Sequence, residues 1–203
     1  MDDKTTSLLQ QLNPTDNDKI YAIYKYGSRV YDTTHEHSDY DFIIISDNDI
    51  IMPINIPDFD ITNYTLEEFQ FDLDNNEIWA LECIFSIPIY FHKIFSVTID
   101  LKKLRTSISR TSSQSFNKAK KKFLSPYNKE GELFRGKKSL FHALRILVFG
   151  IQIAKNQKII DYHEANKYFI EIMNNPSDKW DDYLYLKSQY NTLMTTFRKL
   201  APK

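Results

Sequence analysis

Tyr26-Gly27-Ser28-Arg29-Val30-Tyr31-Asp32-Thr33-Thr34-His35-Glu36-His37-Ser38-Asp39-Tyr40-Asp41 is the stretch that decides the fold. It joins two runs rich in β-branched and aromatic residues, Ile20 to Tyr26 and Tyr40 to Ile45, which read as strands of ordinary length. Gly27 permits a sharp turn and a close approach of the backbone to a ligand. Ser28 starts a helical turn whose N–H groups point at an anion. Asp39 and Asp41 stand two apart at the start of a strand, so both side chains leave one face with Cα atoms about 6.5–7 Å apart. That spacing suits two carboxylates sharing divalent ions that sit about 3.5–4 Å apart in two-metal sites. Hard oxygen ligands beside a phosphate-cradling turn imply Mg²⁺ or Mn²⁺ and a nucleoside triphosphate.

Outward from this segment, Ser7 to Leu12 reads as a short helix stopped by Asn13-Pro14. Residues 46–57, with Pro53 and Pro57, read as a connection with room for a short extra strand. Asp58-Phe59-Asp60-Ile61-Thr62 reads as a third strand with both carboxylates on one face. Thr65 with Glu68 three positions on is a capping box, opening a helix to about residue 73. Asn75 and Asn76 break it, and Glu77 to Phe85 is the next helix. Further helices are expected over 100–109 and 113–124, then a break at Ser125-Pro126-Tyr127-Asn128 and a loop over 127–136. Lys137 to Lys155 carries Leu140, Phe141, Leu144, Leu147, Val148 and Ile151 on one stripe and is the strongest helix. Two more are expected over 162–173 and 178–199. The fold class is α/β of the α+β type: a small mixed β-sheet with helices on one face, followed by a C-terminal helical lobe. The domain boundary is expected near 110, giving a catalytic domain over 1–110 and a helical lobe over 111–203.

Composition supports a globular chain. Its 203 residues are 42% apolar and 14% aromatic, enough for a sizeable core. No run of eighteen apolar residues is present, and the acidic start Met1-Asp2-Asp3-Lys4 does not read as a secretory signal, so a cytoplasmic protein without a membrane partner is expected. A single cysteine, Cys83, excludes an internal disulfide framework and a Cys-based zinc cage. His35 and His37 read as parts of a polar loop. Charge is segregated. Residues 1–92 hold 18 acidic and 4 basic residues, a net of −14, whereas residues 93–138 hold 3 and 13, a net of +10. An acidic half suits divalent metal, and a basic middle suits phosphates; solvated helix faces are the plainer explanation for most of these residues taken singly. Lys118, Lys120, Lys121 and Lys122, with Phe116 and Phe123, form a basic amphipathic helix that suits either a nucleic-acid backbone or solvent.

The Gly-Ser turn followed by Ser38-Asp39-Tyr40-Asp41 resembles the signature of the DNA polymerase beta nucleotidyltransferase superfamily. The wording Tyr26-Gly27-Ser28-Arg29-Val30-Tyr31, with Ser38-Asp39-Tyr40-Asp41-Phe42-Ile43, is similar to its bacterial and phage branch that includes RNA-repair-associated members. Tyr64 to Phe69, Leu81 to Phe85 and Lys137 to Arg145 resemble later blocks of that branch, so the likeness spans about residues 20–155. It departs at Asp32, where the family usually has a glycine and where a carboxylate faces a triphosphate unfavourably.

The resemblance implies metal-dependent transfer of a nucleoside monophosphate from an NTP such as ATP to an acceptor hydroxyl, with release of pyrophosphate. Asp39, Asp41 and a third carboxylate on the neighbouring strand would be the catalytic and metal-holding residues. Asp60 matches that third position, with Asp58 the alternative, and Glu82 has a weaker claim because it can simply cap or pair. Gly27, Ser28 and Arg29 would meet the nucleotide. Lys137, Lys138, His142 and Arg145 either grip the triphosphate or form a basic face that pairs with the acidic half. The implied acceptor is RNA or another nucleic-acid end, reached through the basic 93–138 segment. A protein acceptor and an inactive nucleotide-binding or RNA-binding module are the alternatives.

Overall fold

Four strands carry the N-terminal unit of the computed structural model, which describes residues 2–14, 19–35, 38–47, 59–126 and 129–202. His37, Asp58 and most of the 46–57 connection lie outside the described residues. Strands β1 (Ile20–Tyr26), β2 (Tyr40–Ser46), β3 (Phe59–Thr65) and β4 (Tyr90–Phe91) lie in the order β3-β2-β1-β4. β1 is antiparallel to β2 and β4, while β2 and β3 run parallel, so the sheet is mixed as expected.

Alternation divides the strand side chains between two faces. On one face Ile23, Phe42 and Ile44 pack with Leu8 and Leu12 of α1 (Asp3–Leu12), and Phe59 and Ile61 join them. On the other, Tyr24 meets Phe69 of α3 (Leu66–Asp74) with ring centroids 5.9 Å apart. Tyr64 stacks at 4.1 Å on Trp79 of α4 (Ile78–Phe85) on that same face. Helix α1 thus adds a cover on the second side of a sheet expected to carry helices on one. Asp41 shares the parity of Ile43, which pairs with Tyr24, and Asp60 that of Tyr64, so both carboxylates leave on the α3 side.

Local signals account for several boundaries. Asp2 caps α1 by accepting from the Thr5 N–H at 2.9 Å, and Asn13 ends it in the left-handed conformation. The capping box is realised in both directions: the Thr65 N–H donates to Glu68 Oε2 at 2.9 Å and the Glu68 N–H to Thr65 Oγ1 at 3.1 Å.

The remaining elements are α5 (Leu101–Phe123), α6 (Lys129–Asn156), α7 (Asn166–Asn174), a 3-10 turn (Trp180–Tyr183) and α8 (Leu184–Leu200). α7 and α8 begin later than the expected 162 and 178, the latter preceded by the 3-10 turn, and two elements differ more. α5 is continuous where a break was expected near 110, because hydroxyls that usually compete with helix are engaged by neighbouring elements. Ser112 Oγ donates to the Ala143 carbonyl at 2.9 Å, and Ser107 Oγ donates to Glu77 Oε2 at 3.0 Å. α6 begins at Lys129, inside the expected loop. Gly131 and Gly136 weaken the local preference for helix, but Gly136 is needed for close packing: a Cβ there would stand 2.9 Å from Phe123 Cδ2. Glu132 then reaches Lys122 at 2.6 Å.

The chain divides into two compact units, Met1–Asp74 with Trp79–Val97, and Asn75–Ile78 with Thr98–Lys203. Residue 110, the expected boundary, lies within α5. Among the described residues no helix is long and apolar enough to cross a membrane.

Candidate active site

The site starts where β1 stops. Tyr26 is the ladder partner of Asp41, and Gly27 follows with φ 72° and ψ −154°, a conformation left essentially to glycine. A Cβ on Gly27 would lie 1.9 Å from Asp41 Oδ2, so the carboxylate packs directly against the glycine Cα. Two independent constraints therefore demand glycine at this position.

Helix α2 (Ser28–Tyr31) continues the turn, with the Val30 N–H donating to the Gly27 carbonyl at 3.0 Å and the Thr33 N–H to the Ser28 carbonyl at 2.9 Å. Asp32 closes α2 in the left-handed region, φ 56°. Glycine usually supplies that conformation, and aspartate is among the few other residues that tolerate it. The departure at Asp32 thus keeps the backbone a glycine would give, with its own side chain exposed.

Two side chains anchor this short helix. Tyr31 donates its hydroxyl to Glu82 of α4, and both are buried. The lone carboxylate on an apolar helix is a pairing residue, as one of its two expected roles had it. Arg29 turns toward the start of β2, where Nη2 donates to the Ser38 carbonyl at 2.8 Å and Nε to the Asp39 carbonyl at 3.3 Å. His35 belongs to the same loop, its N–H donating to Ser38 Oγ at 2.9 Å.

Asp60 is the direct partner of Asp41 in the parallel ladder, which sets the two on one face of adjacent strands about 4.7–4.9 Å apart. Asp41 is half-buried, whereas Asp60 and Asp39 are exposed. Asp39 immediately precedes β2 rather than lying within it. The backbone therefore brings together Gly27, Asp41 and Asp60, with Asp39 two residues before Asp41 and just outside the strand. Asp58, the alternative third carboxylate, lies outside the described residues. As a donor set these carboxylates fit a hard divalent cation. Among the described residues no three His, Cys, Asp or Glu side chains are gathered as a ready metal cage.

The expected nucleotide residues of the strongest helix belong to the helical unit. Lys137 is buried, and its ammonium donates to the Asn175 carbonyl at 2.6 Å and to that of Met173 at 3.4 Å. Burial lowers its pKa. Arg145, also buried, donates from Nη2 to His142 Nδ1 at 2.9 Å and lies over the Phe149 ring at 5.2 Å. Burial first, then the charges of Arg145 and Lys118, push the His142 pKa down to about 3, so the ring accepts as neutral imidazole. Lys138 is exposed over the Phe134 ring. The influence of Lys118 on His142 was not legible in sequence, because the two sit on different helices. Lys118, Lys121 and Lys122 line an open groove with Gln114, Asn117, Ser125 and Glu132.

A family model described as nucleotidyltransferase domain matches residues 7–138. Among solved structures, a spectinomycin adenyltransferase from Enterococcus faecialis, crystallised with ATP and spectinomycin, aligns over 96% of this chain and 98% of its own. Identity is 10% and the TM-score 0.46. No curated protein matches.

Proposed function

The chain belongs to the nucleotidyltransferase domain family, transferases that move a nucleoside monophosphate from an NTP, and we propose that Asp39, Asp41 and Asp60 carry that transfer to a hydroxyl on RNA or another nucleic-acid end. The observation that carries the reading is the parallel register of Asp41 with Asp60, beside a glycine that the Asp41 carboxylate itself requires.

In this reading the acceptor oxygen attacks the α-phosphorus in line, the new ester bond forms, and the bond to pyrophosphate breaks. Asp60, exposed at the strand edge, takes the proton of the attacking hydroxyl as general base. Gly27 and Ser28 hold the β- and γ-phosphates against the turn. Asp39, Asp41 and Asp60 would hold Mg²⁺ or Mn²⁺; when bound, such an ion lowers the pKa of the attacking hydroxyl and offsets charge on the leaving group. The net of +10 over residues 93–138 and the Lys118–Lys121 groove support a polyanionic acceptor.

The test is to incubate the protein with each α-labelled NTP, Mg²⁺ and a mixed pool of RNA and protein. Label in nuclease-sensitive material is expected, ATP being the first NTP to try. Label on a protein would reassign the acceptor, and no transfer from any NTP would overturn the reading.

A further inference from the structure

A cation directly after a Gly-Ser turn is expected to face phosphate, yet the Arg29 guanidinium faces protein. Its Nη2 donates to the Ser38 carbonyl at 2.8 Å and its Nε to the Asp39 carbonyl at 3.3 Å. Its Cζ also lies over the Tyr40 ring, 3.5 Å from the centroid. One side chain thus grips residues 38, 39 and 40, the last of the polar loop and the first of β2. A flat fork with several donors at fixed spacing does this, whereas an ammonium lacks both the fork and the stacking face. The clamp has firm footing, since α2 is tied to α4 by the buried Tyr31–Glu82 hydrogen bond.

What the clamp holds is the segment carrying Asp39 into β2. Asp41 has a ladder partner on either side, Tyr26 and Asp60, so its backbone is set by the sheet. Asp39 lies outside the ladder and relies on other contacts for its place. We propose that Arg29 is a positioning residue, fixing Asp39 relative to Asp41 through the backbone of residues 38–40, and not a phosphate ligand. This rests on the reading of Asp39, Asp41 and Asp60 as the metal-holding carboxylates.

The experiment measures two affinities on the full chain: Mn²⁺ by the loss of the free-ion paramagnetic resonance signal, and ATP by equilibrium dialysis without metal. For Arg29→Gln and Arg29→Lys alike, Mn²⁺ affinity is expected to fall about 10-fold, within the range seen when a partner that orients a metal ligand is lost. ATP binding without metal stays at the wild-type value. Lysine fails to rescue because the fork and the stacking face are both gone. Tyr40→Leu, which removes the ring under Arg29 and its edge contact with Phe59 but keeps an apolar side chain and both Arg29 hydrogen bonds, weakens Mn²⁺ by a smaller factor and carries the test if an Arg29 variant does not fold. If Arg29→Gln weakens metal-free ATP and Arg29→Lys restores it, Arg29 is a phosphate ligand and the inference is wrong. Wild-type Mn²⁺ binding in the Arg29 and Tyr40 variants, with a loss in Asp41→Asn, overturns the clamp and leaves the metal reading intact. Unchanged Mn²⁺ binding in Asp41→Asn overturns both.

Discussion

The Gly27–Asp41 turn and the Lys137–Arg145 stretch of α6 look alike as sequence: each sets polar residues at close spacing beside an apolar run. Their surroundings separate them. In the turn, backbone conformation and strand register position Gly27, Asp41 and Asp60, and Asp39 and Asp60 are left exposed to solvent. In α6, Lys137 and Arg145 are buried and engage carbonyls, a ring and an imidazole of their own unit. Buried polar groups are held by partners because leaving them unsatisfied is costly. A polar motif is thus better placed to meet a ligand when main-chain geometry positions it than when its side chains are engaged in packing.

Gly27→Ala tests the first half of that contrast and has the largest expected effect. The methyl group falls where Asp41 Oδ2 now lies, so the carboxylate is displaced and transfer drops by more than about 100-fold, beyond the usual loss of an orienting partner. The strained conformation alone costs about 1–3 kcal/mol, readable in urea unfolding. An alanine variant with wild-type turnover would show that the turn does not shape the site.

Lys137→Met tests the second half. It removes the donor to the Asn175 and Met173 carbonyls, so unfolding free energy should fall by about 1–3 kcal/mol while NTP affinity holds. Lost NTP affinity with unchanged stability would move Lys137 from the packing to the ligand.

His142 gives the contrast a pH dependence. Its folded pKa is pushed down to about 3, below its ordinary value near 6.5, so between those values the unfolded chain binds the proton that the folded one refuses. Its contribution is therefore fully present above pH 6.5 and is lost as pH falls toward 3. In His142→Asn, which keeps an acceptor toward Arg145, stability should vary less with pH across that window. An equal slope in variant and wild type would place the acid sensitivity elsewhere.

Much of the first unit was legible because its signals are local. The strands over 20–26 and 40–46 lack breakers, and the Thr65–Glu68 pair forms the reciprocal cap its spacing announces. What escaped depended on contacts far apart in sequence. Ser112 falls in the expected gap between two helices, and the Ala143 carbonyl that engages its hydroxyl comes from a distant part of the sequence. Gly136 reads as loop until Phe123 explains why a side chain is excluded. The two residues of β4 are too short for any periodicity, and its place depends on pairing with Ala22 and Ile23. At the site, Gly27 and Asp41 stood out by spacing and Asp60 by the family resemblance, with Asp58 its alternative, whereas the direction of the Arg29 guanidinium depends on a loop whose course no pattern gives.

A smaller effect concerns the acceptor. If Lys118 and Lys121 follow a nucleic-acid backbone, replacing both with Gln should shallow the log–log salt slope of RNA binding by about 0.7–0.9 per lysine, with NTP affinity unchanged. Lys122 is the internal control, since it pairs with Glu132 at 2.6 Å. A slope that shifts only for Lys122→Gln would assign these charges to helix pairing.

The central claim is that Asp41 and Asp60, set side by side by the β2–β3 register, perform the transfer. Its most direct test is pyrophosphate release by Asp41→Asn and Asp60→Asn, measured with NTP affinity and thermal unfolding on the same preparations. Both variants should fold as wild type and lose turnover, and Asp60→Asn should lose turnover far more than NTP affinity, because the amide cannot take the acceptor's proton. Near-wild-type turnover in either folded variant would contradict the claim.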